Sequence, residues 1–169
     1  MKVLFLDIDG VLNSTRSLMV TGAGYAGLME KYDDPKLDPV AVGLLMMAVV
    51  KFDFKIVLSS TWRLGFTPGE LIHLWQDSMG RYYGWPDFPI IGRTPDLDMY
   101  RGFEIEAWLN DHAPVEDFII LDDDKDMLQE HIDGGHFHHV NVHTGLDHRF
   151  IDFCHDRYPD VKKPLLIGM

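Results

Sequence analysis

Four short apolar runs punctuate the chain, and each of the first three ends on polar residues with reactive side chains. KVLFLD (Lys2 to Asp7), KIVLS (Lys55 to Ser59), DFIIL (Asp117 to Leu121) and a weaker run from about Phe137 to Val142 have the near-continuous hydrophobicity of strands buried on both faces. Helix signals lie between them. Asp38 followed by Pro39 predicts an N-cap with proline at the first helical position, and Thr67-Pro68-Gly69-Glu70 is a capping box. From Gly102 to His112, Ile105, Trp108, Leu109 and His112 recur at i, i+3, i+4 and i+7, one apolar helix face. Strand and helix alternate, so the pattern predicts an α/β fold around a mainly parallel sheet flanked by helices. Glycine- and proline-containing stretches interrupt it. Residues 13–37 predict a flap or small cap, and residues 63–100 a second insertion whose loop-like part is 80–100, within a single domain spanning 1–169.

Composition narrows the setting. A chain of 169 residues, 46% of them hydrophobic, is long enough to bury one real core and too apolar to be disordered. Twenty-seven acids against fifteen bases, a net charge of -12, argue against broad nucleic-acid binding through a basic face. Cys154 is the single cysteine, so neither an internal disulfide nor a CxxC metal pattern is available, and a reducing cytoplasm is the expected setting. Asp7 and Asp9 interrupt the first apolar run too early for a signal peptide. The longest apolar stretch, Val40 to Val50, is half of the roughly 20 residues a membrane helix needs, so no membrane is expected as a partner.

The candidate chemistry sits at the strand ends. In FLDIDGVLN a buried-type strand runs straight into Asp7 and Asp9, and two bare carboxylates there demand compensation. IVLSSTWR adds hydroxyls, YRGFEIEAWL a cation and FIILDDDKDM a second carboxylate cluster. In parallel sheets ligands bind beyond the carboxyl ends of the strands, so these segments are expected to share one crevice. Carboxylates, hydroxyls and a cation are the inventory for holding phosphate beside Mg²⁺, which takes oxygen ligands from one or two carboxylates, phosphate and water. Arg101 opens a helix, where the dipole disfavours a cation, and a phosphate in the crevice would justify it.

These four segments, in this order, resemble the haloacid dehalogenase (HAD) superfamily of phosphohydrolases. DGVLN, SSTWR, RGFEIEAWL and ILDDDKDM resemble more narrowly the small HAD domains of Swiss Army Knife RNA-repair proteins. The resemblance implies a Rossmann-like, HAD-like sheet with minimal cap insertions and a Mg²⁺-dependent phosphatase acting through an aspartyl-phosphate. It implies Asp7 as nucleophile and Asp9 as general acid and then base. Ser60 and Thr61 would bind the phosphoryl oxygens, with Ser59 a rival to Ser60, and Arg101 would supply the charge that many members supply with lysine. Asp7, Asp122 and the backbone carbonyl of Asp9 would hold the metal, with Asp123 in support and the roles of Asp124 and Asp126 open. Val11 departs from the threonine that many family phosphatases carry, and the departure touches neither aspartate. The implied partner is a phosphorylated small molecule, such as a nucleotide, or a nucleic-acid end; no protein partner is evident. A non-catalytic Mg²⁺-dependent phosphate-binding domain is the alternative, and phosphate release separates the two.

Other patterns are weaker. DDDKD places acids as a calcium loop does, but Met127 stands where an EF-hand needs glycine and a strand precedes it. Gly22 to Gly27 spells GxGxxG without a clear preceding strand. A receiver domain would phosphorylate the end of a middle strand, whereas here the acid pair opens the chain. His136 and His138 should share one strand face and His139 the other, which favours packed or surface histidines over zinc. Trp62, Arg63 and Arg93 are candidate substrate contacts, and Tyr82, Tyr83 and Trp85 could stack a base or pack against the domain.

Overall fold

The computed structural model describes residues 1–20, 37–78, 89–112 and 114–161. Gly22 to Gly27 and the loop aromatics Tyr82, Tyr83 and Trp85 lie outside them. The described chain runs β1 (Lys2–Leu6), α1 (Thr15–Val20), α2 (Pro39–Phe52), β2 (Phe54–Leu58), a 3-10 turn (Thr61–Leu64), α3 (Pro68–Ser78), β3 (Ile90–Arg93), α4 (Arg101–Asp111), β4 (Asp117–Asp122), α5 (Gln129–Asp133), β5 (Phe137–His139) and α6 (Arg149–Arg157). The five strands form one parallel sheet in the order β3-β2-β1-β4-β5.

Alternation along β1 explains the two-sided burial. Leu4 and Leu6 point into a large cluster with Leu45, Val49 and Phe52 of α2, Leu71 and Trp75 of α3, and Phe150 and Cys154 of α6. Val3 and Phe5 point the other way, onto Ile105 and Trp108 of α4. The predicted α4 face is therefore the one that meets the sheet; Leu109 packs at its margin, and His112 stacks on Trp108 with ring centroids 4.1 Å apart. The expected caps are present. Asp38 accepts from the Val40 N–H at 2.9 Å, and Glu70 accepts from the Thr67 N–H at 2.7 Å while the Thr67 hydroxyl accepts from the Glu70 N–H at 3.3 Å.

Part of the 63–100 segment is built into this sheet domain. Leu71 and Trp75 are fully buried, and Ile90–Arg93 pairs with β2 as an edge strand that the sequence pattern did not predict. At four residues, with Gly92 inside and one face exposed, β3 lacks the continuous hydrophobicity that betrays central strands. β5 is shorter than expected because its partner ends at Asp122, opposite His139, after which the Val140 N–H bonds the Asp122 carbonyl and the chain turns. The histidine expectation also needs correction. His136 precedes the strand and stacks on Phe118 on one face, whereas His138 packs between Phe150 and Phe153 on the other. Among the described residues no helix is long and apolar enough to cross a membrane.

Candidate active site

The strand order creates the site. After β1 the chain builds outward through β2 and β3, then crosses to the other side of β1 for β4, so β1 and β4 flank the switch point where parallel sheets open a crevice. The register pairs Leu6 with Leu121 on one side and with Leu58 on the other. One residue further, Asp7 therefore stands between Asp122 and Ser59, and its N–H bonds the Leu121 carbonyl at 3.0 Å. Neighbouring strands lie about 4.8 Å apart, which dictates that the two carboxylates crowd each other.

Asp7, Asp122 and Asp123 each offer an oxygen within 4.8 Å of the others. Asp123 comes so near because residue 10 is glycine: its φ is +70°, and a side chain there would run into the Asp123 carboxylate. The Asp9 side chain lies outside this triad. Its Oδ1 accepts from Asn13 Nδ2 at 2.9 Å, and Asn13 Oδ1 accepts from the Gly10 N–H at 3.0 Å, which closes the DIDGVLN loop. The expectation for Asp9 as a metal ligand concerned its backbone carbonyl and not this side chain.

Arg101 reaches into the cluster from the first turn of α4. Its Nη1 donates to Asp7 Oδ1 at 3.0 Å and to the Ser59 carbonyl, and its Nε lies 3.4 Å from Asp122 Oδ2. The helix end is capped by Asp126, whose carboxylate accepts from the Arg101 N–H at 3.0 Å and whose carbonyl accepts from the Gly102 N–H at 3.2 Å. Asp124 acts through its backbone, its N–H donating to Asp122 Oδ1 at 2.9 Å. These two acids, left open by the sequence, orient the others.

Charge crowding follows. Burial raises the Asp7 carboxyl above the ordinary range, Arg101 pulls it back, and Asp9 raises it further. Burial raises Asp122 as well, helped by Asp7 and opposed by Arg101. Burial works against the Arg101 charge, but Asp7, Asp122 and Asp126 outweigh it and hold the guanidinium firmly protonated. One arginine does not neutralise three acids. Asp122 is fully buried, and its Oδ2 has no hydrogen bond. A largely buried, oxygen-only donor set with excess negative charge and a carboxylate oxygen that faces Arg101 at 3.4 Å without a hydrogen bond fits a hard divalent cation such as Mg²⁺.

The remaining expected residues divide. Ser60 is fully buried at the N-cap of the 3-10 turn, where its hydroxyl accepts from the Trp62 N–H at 3.4 Å and, lying near Asp7, helps to lower that carboxyl. Ser59 turns its carbonyl toward Arg101, and its buried hydroxyl makes no hydrogen bond. Thr61 is exposed at the crevice mouth. Neither Trp62 nor Arg63 offers an unengaged, open side chain to substrate as expected, although Arg63 borders the neighbouring cleft. Trp62 is wholly buried and stacks on Phe66, while Arg63 Nη2 pairs with Glu104 Oε2 at 2.7 Å and its other donors bind the carbonyls of Ser59, Ser60, Thr94 and Pro95. Arg93 is exposed at the end of β3 and donates to the Arg63 carbonyl at 2.8 Å. The Glu104 partner escaped the sequence reading; a glutamate in the first turn of an amphipathic helix gives no sign of burial.

A family model described as the HAD domain in Swiss Army Knife RNA repair proteins matches residues 3–150. No curated protein and no solved structure matches the chain. The matched span contains the whole sheet but for Lys2 at the start of β1, together with all three acids of the cluster, and the chain belongs to this family of HAD domains.

Proposed function

We propose that the protein is a Mg²⁺-dependent phosphomonoester hydrolase acting through an aspartyl-phosphate. The observation that carries this reading is the convergence of Asp7, Asp122 and Asp123 with Arg101 at the carboxyl edge of the central strands. Asp7 is the nucleophile: its carboxylate oxygen bonds phosphorus as the bond from phosphorus to the leaving oxygen breaks. Asp9, held by Asn13, gives its proton to that oxygen, then removes one from the water that attacks phosphorus and returns Asp7 to its free form. Arg101 orients Asp7 and offers positive charge to the phosphoryl oxygens, and the hydroxyls of Ser60 and Thr61 bind them. Asp7, Asp122, Asp123 and the Asp9 carbonyl would hold Mg²⁺, which when bound supplies charge neutralisation of the phosphate and the carboxylates.

The family's association with RNA repair supports a phosphate on a nucleotide or nucleic-acid end as the substrate. The test is phosphate release from a panel of phosphomonoesters with Mg²⁺ and with chelator. Asp7→Asn should lower the rate at least about a thousandfold, because the acyl-phosphate step is removed. Wild-type protein quenched during turnover should carry phosphate that hydroxylamine releases. An Asp7→Asn protein that turns over at the normal rate would end this reading.

A further inference from the structure

Beside the acid cluster a cleft of about 590 Å³ opens between the 3-10 turn and the N-terminal turn of α4. This is the size of small-molecule sites, with room for one nucleoside and not for a folded polynucleotide. Arg101, already bound to Asp7, forms part of its wall, so a phosphate at the acid cluster would carry its leaving group into this space.

The lining is unusual for a protein surface. Leu64, Met99, Tyr100 and Phe103 all face the cleft, with 61%, 54%, 69% and 43% of their surface exposed. Single exposed apolar side chains need no explanation, but four bordering one cleft next to a reactive centre make a platform for a flat apolar group. The charges on this lining are one-sided. Among the described residues its two cations are engaged by carboxylates, Arg63 by Glu104 and Arg101 by Asp7 and Asp122, while Asp96 and Asp98 stand exposed on the wall. A second phosphate in the cleft would meet those acids without a free cation among the described lining residues, whereas sugar hydroxyls and base amino groups can donate to them.

We infer that the cleft holds the leaving group of the reaction proposed above and that this group is one uncharged nucleoside, so that the substrate is a nucleoside monophosphate and not the end of a polynucleotide. The inference rests on the hydrolase reading. Tyr100 and Phe103 are the specificity-determining side chains, through stacking on the base, and Asp96 and Asp98 discriminate against additional phosphates.

The experiment compares kcat/KM of the 169-residue chain, with Mg²⁺, on adenosine 5′-monophosphate, uridine 3′-monophosphate, adenosine 5′-diphosphate, a 5′-phosphorylated decanucleotide and methyl phosphate. At least one mononucleotide should exceed methyl phosphate by about ten- to a hundredfold, the range expected from stacking one base. It should also exceed the decanucleotide and the diphosphate. Tyr100→Ala and Phe103→Ala should each reduce the preference for that mononucleotide over methyl phosphate by about tenfold, and Asp98→Asn should narrow the gap to the diphosphate. A decanucleotide turned over as well as the mononucleotides, or a preference unmoved in both aromatic variants, overturns the inference. If nothing is hydrolysed, methyl phosphate included, the hydrolase reading fails. Calorimetric binding of the mononucleotides then decides the cleft: about tenfold weaker binding by Tyr100→Ala upholds it, and equal affinity overturns it.

Discussion

Gly10→Ala is the most discriminating single change the site suggests. Gly10 has φ of +70°, where a side chain costs about 1–2 kcal/mol of backbone strain. A β-carbon there would stand 2.8 Å from Asp123 Oδ1 and nearer still to the rest of that carboxylate, so Asp123 must swing out of the acid cluster. Two effects are superimposed, and Gly135→Ala separates them. Gly135 has φ of +65° but open surroundings, its nearest neighbour being Arg157 Nη1 at 3.7 Å, so it reports the strain alone. Both variants should lose about 2–4 °C in thermal midpoint per kcal/mol, measured by circular dichroism without metal. Only Gly10→Ala should weaken the Mg²⁺ dependence of phosphate release, by about ten- to a hundredfold in half-saturating Mg²⁺, the scale of losing a group that supports a metal site. A Gly10→Ala protein with wild-type half-saturation would refute the view that this glycine exists to admit Asp123.

Glu104→Gln leaves the Arg63 guanidinium buried against an uncharged partner, both side chains being at most 6% exposed, and should cost about 3–5 kcal/mol in chemical denaturation. Asp122→Asn removes one of three crowded acids, so the metal-free thermal midpoint should not fall, while the rise in midpoint that Mg²⁺ gives the wild type should disappear. His138 is pushed down to about 4 by burial against Phe150 and Phe153, so above the usual histidine range both folded and unfolded chains are neutral there. As pH falls from about 6.5 toward 4 only the unfolded chain gains that proton, and stability should drop by up to about 2 kcal/mol, a fall that His138→Phe should reduce in urea titrations at matched pH.

The strands at the centre of the sheet were legible because burial on both faces leaves a nearly unbroken apolar run, as in Val3 to Leu6 and Phe118 to Leu121. Ile90–Arg93 was not, because an edge strand buries only one face and Gly92 dilutes its signal. Asp7, Arg101 and Asp122 stood out as charges where strand or helix logic disfavours them. Arg63 misled for the complementary reason: its neutralising partner is 41 residues away, and no local pattern distinguishes an arginine facing substrate from one buried in a salt bridge.

By itself the sequence determined the alternation of elements, the caps of α2 and α3, and the family, since these depend on periodicities and motifs within a few residues. Only the tertiary structure decided which polar strand ends meet. The register of β1 with β4 sets Asp7 beside Asp122, Gly10 admits Asp123, and Asp126 holds the helix turn that brings Arg101 between them. Contacts across 94 residues, such as that of Arg101 with Asp7, depend on strand order and register, which local hydrophobic patterns do not encode. For the same reason the cleft that would choose a substrate became visible only once the turn at Thr61–Leu64 and the start of α4 stood side by side.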